Sequence, residues 1–131
     1  MWLAGRFLLD TNIVIALFAT DAAVLESVKN ADEVLISSVV LGELYYGTIK
    51  SGRPTENMER LDTFAAQNVL LACDAETSRH YGTIKSRLRT LGRMIPENYI
   101  WIAAIAIQHV LTLVTRDAHF AEVHGLKTIT W

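Results

Sequence analysis

Residues 6–18 read RFLLDTNIVIALF, a short apolar segment followed by an aspartate and a second apolar segment. We predict a β-strand over Arg6–Leu9 and a helix over Ile13–Phe18. Segments rich in Val, Ile and Leu alternate with helical segments through the rest of the chain. Such alternation is typical of crossover units on a parallel sheet. We therefore expect an α/β fold, a three-layer sandwich with a short, mainly parallel central sheet of about four to five strands.

The other predicted elements continue this alternation. Strands are expected at Val34–Ile36, Val69–Leu71, Thr112–Val114 and Lys127–Thr130. Helices are expected at Ala22–Asn30, Val39–Lys50, Glu56–Gln67, Glu76–Leu91 and Tyr99–His109, with a short one at Ala118–Val123. The helix from Tyr99 is apolar on every side over its first nine residues, which predicts a place in the interior against the sheet.

The length of 131 residues favours one domain, residues 1–131, with a single core. Hydrophobic residues make up 51% of the chain and charged residues 20%, a composition that excludes a disordered tail. The longest apolar run has nine residues, well short of the roughly 20 that span a bilayer, so we expect no membrane association. The one cysteine, Cys73, cannot form an internal disulfide, which favours the cytoplasm. We expect its side chain to be buried or half-buried.

Three acidic residues lie just beyond predicted strands. Asp10 directly follows the first strand, Asp117 follows the fourth, and Glu43 lies about one turn into the helix after the second. In open parallel sheets, ligands bind beyond the carboxyl ends of the strands, where these acids should meet. Asp10 and Asp117 could instead cap helices. Glu43 is the only charged residue between Ser38 and Ile49, so it belongs either to a site, to a local ion pair or to an exposed rim.

A cluster of carboxylates repels itself unless a cation lies between its members. All-oxygen ligands favour Mg²⁺ or Mn²⁺, ions that also bind phosphate groups, which suggests phosphoryl chemistry. A zinc site has no support, because the histidines form no HExxH motif and pair with no second cysteine. We expect His80, His109, His119 and His124 to be structural or surface residues. The chain also has neither a GxxxxGK[ST] phosphate loop nor a GxSxG elbow, which excludes those NTPase and hydrolase classes.

Four motifs, in order along nearly the whole chain, resemble the PIN-domain ribonucleases and, among them, the VapC-type toxins of toxin-antitoxin pairs. They are Leu8–Asn12; Ser37–Ser38 with Gly42–Leu44 and Gly47; Ile95–Pro96 with Asn98 and Trp101–Ala104; and Leu113–Asp117 with His119–Phe120. The resemblance implies a metal-dependent endoribonuclease that hydrolyses RNA phosphodiester bonds with metal-activated water.

The resemblance also implies a role for individual residues. Asp10, Glu43 and Asp117 would be the catalytic residues and would hold Mg²⁺ or Mn²⁺, with Asn12 and Asn98 in support. The implied partners are an RNA substrate, a small cognate antitoxin that occupies the active-site groove, and a second copy of the chain in a homodimer.

One position departs from the family pattern. The family usually has an acid directly after the residue that matches Asn98, and this chain has Tyr99 there. A phenol with a reference pKa of about 10 is neutral at pH 7 and a poor substitute for a carboxylate. Glu97 could replace the missing acid through a different loop path. Tyr99 itself could stack on a nucleobase or pack at the edge of the pocket.

Two further interpretations therefore stay open beside the nuclease. One is a catalytically impaired PIN module that binds RNA or antitoxin without efficient cleavage, and the other is a nucleotide-binding α/β protein. No acid occurs between Thr77 and Pro96, although the net charge of the chain is −2. The basic residues that could attract the RNA backbone are Arg79, Lys85, Arg87, Arg89, Arg93 and Arg116. A solvated helix face and, for Arg116, an internal counter-ion are the alternatives.

Overall fold

The computed structural model describes residues 5–131. Its strands are β1 (Arg6–Leu9), β2 (Glu33–Ser37), β3 (Val69–Leu71), β4 (Thr112–Val114) and β5 (Thr128–Ile129). These five strands form one parallel sheet in the order β3-β2-β1-β4-β5. The predicted α/β fold with a short parallel central sheet is therefore confirmed.

Within the described residues, six α-helices and one 3₁₀ helix connect the strands. They are α1 (Thr11–Phe18), α2 (Ala22–Asn30), α3 (Ser38–Ile49), α4 (Pro54–Gln67), α5 (Ala75–Thr90), α6 (Glu97–Gln108) and the 3₁₀ helix Ala118–Glu122. Every predicted element is present, and each boundary lies within two residues of the prediction. Short polar side chains fix several helix starts, since Asp21, Ser37 and Asp74 each accept hydrogen bonds from first-turn amides.

Helix α6 lies in the interior, as its apolar sequence predicts. Ile100 and residues 102–106 are buried. Leu8 of β1 and Leu113 of β4 are also fully buried and belong to the same core. Removing this apolar surface from water is the main force that holds helix and sheet together.

The strand order sets the place where a ligand can bind. The chain runs outward from β1 to β3 on one side of the sheet and later adds β4 and β5 on the other side of β1. In open parallel sheets, the loops that diverge at such a switch point leave a crevice at the carboxyl ends of the two strands. Here that crevice lies between the ends of β1 and β4, which are followed by Asp10 and Asp117.

No single helix among the described residues is long and apolar enough to cross a membrane. Helices α1 and α2 meet these criteria only when taken together, and they lie at 107° to each other.

The expected burial of Cys73 is wrong. Cys73 is exposed, because it follows β3 at the edge of the sheet, where Val69 and Leu70 are exposed as well. Helix α3 is apolar in composition, yet its residues Tyr46 and Ile49 are exposed. The neighbours of α3 (α1, α4, α6 and β2) cover only part of its circumference.

Candidate functional site

Asp10 lies at the junction of β1 and α1. Its side chain is only 3% exposed. One carboxylate oxygen accepts a hydrogen bond from the backbone N–H of Thr11 (2.8 Å), which caps α1, and the other accepts one from the Thr115 hydroxyl (2.7 Å). Burial raises the pKa of Asp10, and the nearby Asp117 contributes to the rise. The residue is therefore both a helix cap and a buried carboxylate that lacks full charge compensation.

Thr115 connects Asp10 to Asp117. Its hydroxyl donates to Asp10 and accepts a hydrogen bond from the backbone N–H of Asp117 at 3.0 Å. Thr115 is itself buried at the end of β4, so its position is set by the sheet. This single hydroxyl therefore fixes the distance between the two loops that follow β1 and β4.

Glu43 joins the same network from α3. Its carboxylate accepts a hydrogen bond from the Thr11 hydroxyl (3.0 Å), and Thr11 directly follows Asp10. Glu43 is half-buried and forms no ion pair within residues 5–131, so the predicted alternative of a local ion pair is not observed. All three acids predicted for the site thus belong to one hydrogen-bonded chain at one edge of the sheet.

Asp117 has a partner on each of its carboxylate oxygens. Oδ1 accepts a hydrogen bond from the backbone N–H of His119 (2.9 Å) and lies 2.7 Å from the His119 Nδ1 atom. Oδ2 accepts a hydrogen bond from the Tyr99 hydroxyl at 2.6 Å. The hydrogen bond from Tyr99, followed by that from the His119 backbone, lowers the pKa of Asp117. Asp117 is therefore a stable carboxylate, and it also caps the 3₁₀ helix.

Tyr99 faces the acids from the first turn of α6. The hydrogen bond to Asp117, burial, and the charges of Asp117, Asp10 and Glu43 raise the pKa of Tyr99 to about 12. Its ring stacks on the buried Phe120 ring, with the ring centres 4.8 Å apart. The residue in place of the expected acid is thus a neutral hydrogen-bond donor within the acidic site.

The other predicted supporting residues differ in position. The Asn12 side-chain oxygen accepts a hydrogen bond from the Arg116 backbone N–H (3.3 Å), which ties α1 to the loop that carries Asp117. Asn98 is exposed and lines a shallow pocket that also includes Glu43. Glu97 does not join the acids, because its carboxylate accepts hydrogen bonds from Tyr81 (2.8 Å) and Lys85 (2.5 Å) on α5.

Most of the predicted basic residues are paired with acids. The ion pairs are Arg79 with Glu76 (3.6 Å), Lys85 with Glu97 (2.5 Å), Arg93 with Glu122 (3.3 Å) and Arg116 with Asp21 (2.9 Å). The pair of Arg116 with Asp21 agrees with the predicted alternative of an internal counter-ion, and Arg116 also donates to the Trp131 carbonyl at 2.9 Å. Arg87 and Arg89 form no ion pair within residues 5–131, so they are the basic side chains of α5 that remain available there.

The donor set has the chemistry of a site for a hard cation. All its charged donors are carboxylate oxygens, and the buried Asp10 has no basic partner within residues 5–131. Within the same residues, however, no three His, Cys, Asp or Glu side chains are placed closely enough to hold a metal ion together. The Tyr99 hydroxyl lies on Asp117 where the family pattern has a further acid. The residues therefore fit a divalent ion by ligand type. In this structure, however, hydrogen bonds to neighbouring residues hold the carboxylates in their positions.

Three polar residues of the site were not predicted. Thr11 and Thr115 hold the acids together, and His119, expected as a structural or surface residue, contacts Asp117. The available signal was position, since Thr11 directly follows Asp10 and Thr115 and His119 lie two residues on either side of Asp117.

A groove of about 330 Å³ lies next to Glu43, between α1 and the pair α3–α4. Thr11 and Glu43 line one part of it, and Ile15, Phe18 and Leu61 give it an apolar wall. The acidic site therefore opens onto a surface that is suited to an apolar partner segment.

Comparison with known proteins places the chain in a family. The PIN domain matches residues 7–126. Ribonuclease VapC2 of Haemophilus influenzae is 35% identical, and the tRNA(fMet)-specific endonuclease VapC of Shigella flexneri is 34% identical; each alignment covers 96% of this chain and 98% of the relative.

Solved structures agree with this placement. VapBC2 from Rickettsia felis, bound to a DNA fragment from its promoter, contains a chain with a TM-score of 0.86 and 32% identity, over 96% of this chain and 98% of that one. VapBC-5 from Mycobacterium tuberculosis, a member of the VapBC family of toxin-antitoxin systems, has a TM-score of 0.72 and 26% identity over 98% of both chains. The PIN family generally depends on divalent metal ions. From this match over nearly its full length, the chain belongs to the PIN-domain family, with VapC ribonucleases among its relatives.

Proposed function

We propose that this chain is an endoribonuclease, the toxin of a toxin-antitoxin pair, which uses Mg²⁺ or Mn²⁺ held by Asp10, Glu43 and Asp117. The observation that carries the proposal is the set of hydrogen bonds through Thr11 and Thr115, which joins the carboxylates of Glu43 and Asp10 to the backbone N–H of Asp117. An RNA substrate is supported by the names of the relatives, a ribonuclease and a tRNA(fMet)-specific endonuclease.

The residues of the chain orient the site before substrate binds. Thr115 holds Asp10 relative to Asp117, Thr11 holds Glu43, and Asn12 holds the backbone next to Asp117. These hydrogen bonds matter because they limit how far the acids must move when the ion and the substrate bind. A bound divalent ion would supply positive charge opposite the negative charge that develops on the phosphate, and would make water a better nucleophile.

The RNA backbone is attracted by basic side chains of α5. Arg87 and Arg89, which form no ion pair within residues 5–131, are the first candidates. Arg79 follows, since its pair with Glu76 is long and exposed, and exposed pairs of this kind are weak. Lys85, Arg93 and Arg116 contribute less because their charges are offset by acids at 3.3 Å or less.

The partner is a small antitoxin that covers the groove beside Glu43. The VapBC structures support a bound antitoxin as the partner, and the apolar wall formed by Ile15, Phe18 and Leu61 offers it a place to dock. The chain also forms a homodimer in this proposal, as the family resemblance implies.

The test is RNA cleavage by the chain and by Asp10→Asn, each with Mn²⁺ and with EDTA. We expect cleavage by the unchanged chain only with Mn²⁺ and none by Asp10→Asn. Asp32→Asn is the matched control, because Asp32 is an exposed aspartate next to β2 at the opposite edge of the sheet, and it should cleave normally. Equal cleavage by Asp10→Asn would remove Asp10 from the catalytic site.

The second candidate, a PIN module that binds RNA or antitoxin without efficient cleavage, is favoured by Tyr99, which occupies Asp117 in place of an acid. Cleavage by Tyr99→Asp but not by the unchanged chain would support this candidate. Equal cleavage by both would show that Tyr99 does not impair the enzyme.

A further inference from the structure

The Tyr99 hydroxyl donates to the Asp117 carboxylate at 2.6 Å, which is the short length expected of a hydrogen bond to a charged acceptor. The ring cannot easily leave this position. It stacks on Phe120, which is buried in the core, and also lies 5.5 Å from the His119 ring. The donor is therefore held in place by packing as well as by the hydrogen bond.

Both oxygens of Asp117 have protein partners at once. The Tyr99 hydroxyl donates to Oδ2, and the backbone N–H and ring nitrogen of His119 contact Oδ1. Carboxylates in such a cluster normally need a cation to offset their mutual repulsion. Here part of that positive charge comes from the N–H and O–H dipoles around Asp117. This is consistent with the lack, within residues 5–131, of any three acids or other ligands close enough to share an ion.

We propose that the Tyr99 hydroxyl takes the position on Asp117 that a cation would otherwise occupy. We call this hydrogen bond the latch. A divalent ion then binds to Asp117 fully only when the hydrogen bond between Tyr99 and Asp117 is broken. This inference rests on the proposed function, since it concerns the same acidic site. It assigns Tyr99 a positioning role that sets the affinity of the site for the ion.

The competition follows from charge. A cation on the Oδ2 atom of Asp117 would lie beside the hydroxyl proton of Tyr99, and the two positive charges repel each other. This repulsion weakens the hydrogen bond, the metal–oxygen bond or both, so the Tyr99 hydroxyl and the ion compete for the Oδ2 atom. A hydrogen bond to a charged group corresponds to roughly a ten- to a hundredfold change in an equilibrium constant, so the latch should weaken metal binding by at least about tenfold.

The test measures Mn²⁺ binding directly, by electron paramagnetic resonance of the free ion, for the unchanged chain, Tyr99→Phe and Tyr99→Asp. We expect Tyr99→Phe to bind Mn²⁺ at least about tenfold more tightly and Tyr99→Asp to bind it more tightly still. Without metal, Tyr99→Phe should have a lower melting temperature, because Asp117 loses a partner. Tyr81→Phe is the matched control: its hydroxyl serves Glu97 instead, so its Mn²⁺ affinity should not change.

The outcomes separate the two proposals. If the unchanged chain binds Mn²⁺ and Tyr99→Phe binds it equally or more weakly, the latch is wrong and the metal site stands; weaker binding would mean that the hydroxyl assists the ion. If neither the unchanged chain nor Tyr99→Asp binds Mn²⁺, the acids form no metal site, and both the latch and the proposed function are overturned.

Discussion

Replacing Thr115 by valine tests the network that links the acids. Valine keeps the shape of threonine and suits the end of a strand, but it removes the hydroxyl that donates to Asp10 and accepts from the Asp117 backbone. Thr115 is only 4% exposed, so water does not easily replace these contacts. A hydrogen bond to a charged group contributes about 1.5–3 kcal/mol and a neutral one about 0.5–1.5 kcal/mol. We expect Thr115→Val to lower the free energy of unfolding by roughly 2–4 kcal/mol.

The assay is urea unfolding at pH 7 with EDTA present. Thr112→Val is the control, because Thr112 is the first residue of β4, the strand that Thr115 follows, and its hydroxyl makes no hydrogen bond within residues 5–131. Its effect should stay within about 0.5 kcal/mol, as is usual for substitutions away from such contacts. If Thr115→Val costs no more than Thr112→Val, the hydroxyl does not hold the site together.

The same variant has a predicted pH dependence. The hydrogen bond from Thr115 lowers the pKa of Asp10 against the rise that burial causes, so its loss raises that pKa further. A carboxyl group whose pKa is raised in the folded state costs stability as pH increases above its unfolded value, about 4. The deficit of Thr115→Val relative to the unchanged chain should therefore be smaller near pH 4 than at pH 7.

Other substitutions have equally definite outcomes. Glu97→Gln should leave Mn²⁺ binding unchanged, because Glu97 is bound to α5; a weaker Mn²⁺ affinity would return this residue to the metal site. Replacing Arg87 and Arg89 by alanine should weaken RNA binding and flatten its dependence on salt, while an unchanged salt slope would place the RNA elsewhere. Asp74 has a pKa lowered by the Thr77 backbone hydrogen bond, so it stabilises the fold above about pH 4 and loses this effect as pH falls through its folded pKa. Asp74→Ala should therefore be less stable than the unchanged chain at pH 7 and nearer to it at low pH, as acid unfolding would show.

The positions of Asp10 and Asp117 at one edge of the sheet were predictable, because each follows a short apolar segment and parallel strands bring their carboxyl ends together. Helix capping, the alternative role for these two aspartates, does not exclude a place in the site, since both residues cap a helix and face the site. Glu43 was predictable from its isolation in an apolar helix. The sequence pattern thus predicts those site residues whose positions are set by a single strand or helix.

What could not be predicted depends on packing between elements. The contact of Tyr99 with Asp117 requires α6 to lie against the loop after β4, and no local pattern states this. Lys85 of α5 and Arg93 after it lie in one acid-free stretch, but they pair with Glu97 and Glu122, acids beyond that stretch. Exposure of Cys73 depends on β3 being an edge strand, which only the strand order reveals.

Anomalous diffraction from crystals soaked in Mn²⁺ would test the central claim most directly, namely that Asp10, Glu43 and Asp117 act on one divalent ion. The account predicts a Mn²⁺ peak at the carboxyl ends of β1 and β4, about 2.1 Å from carboxylate oxygens of Asp10 and Asp117, with the Tyr99 hydroxyl no longer bonded to Asp117. A crystal saturated with Mn²⁺ that shows no peak there, and the hydrogen bond from Tyr99 intact, would contradict it.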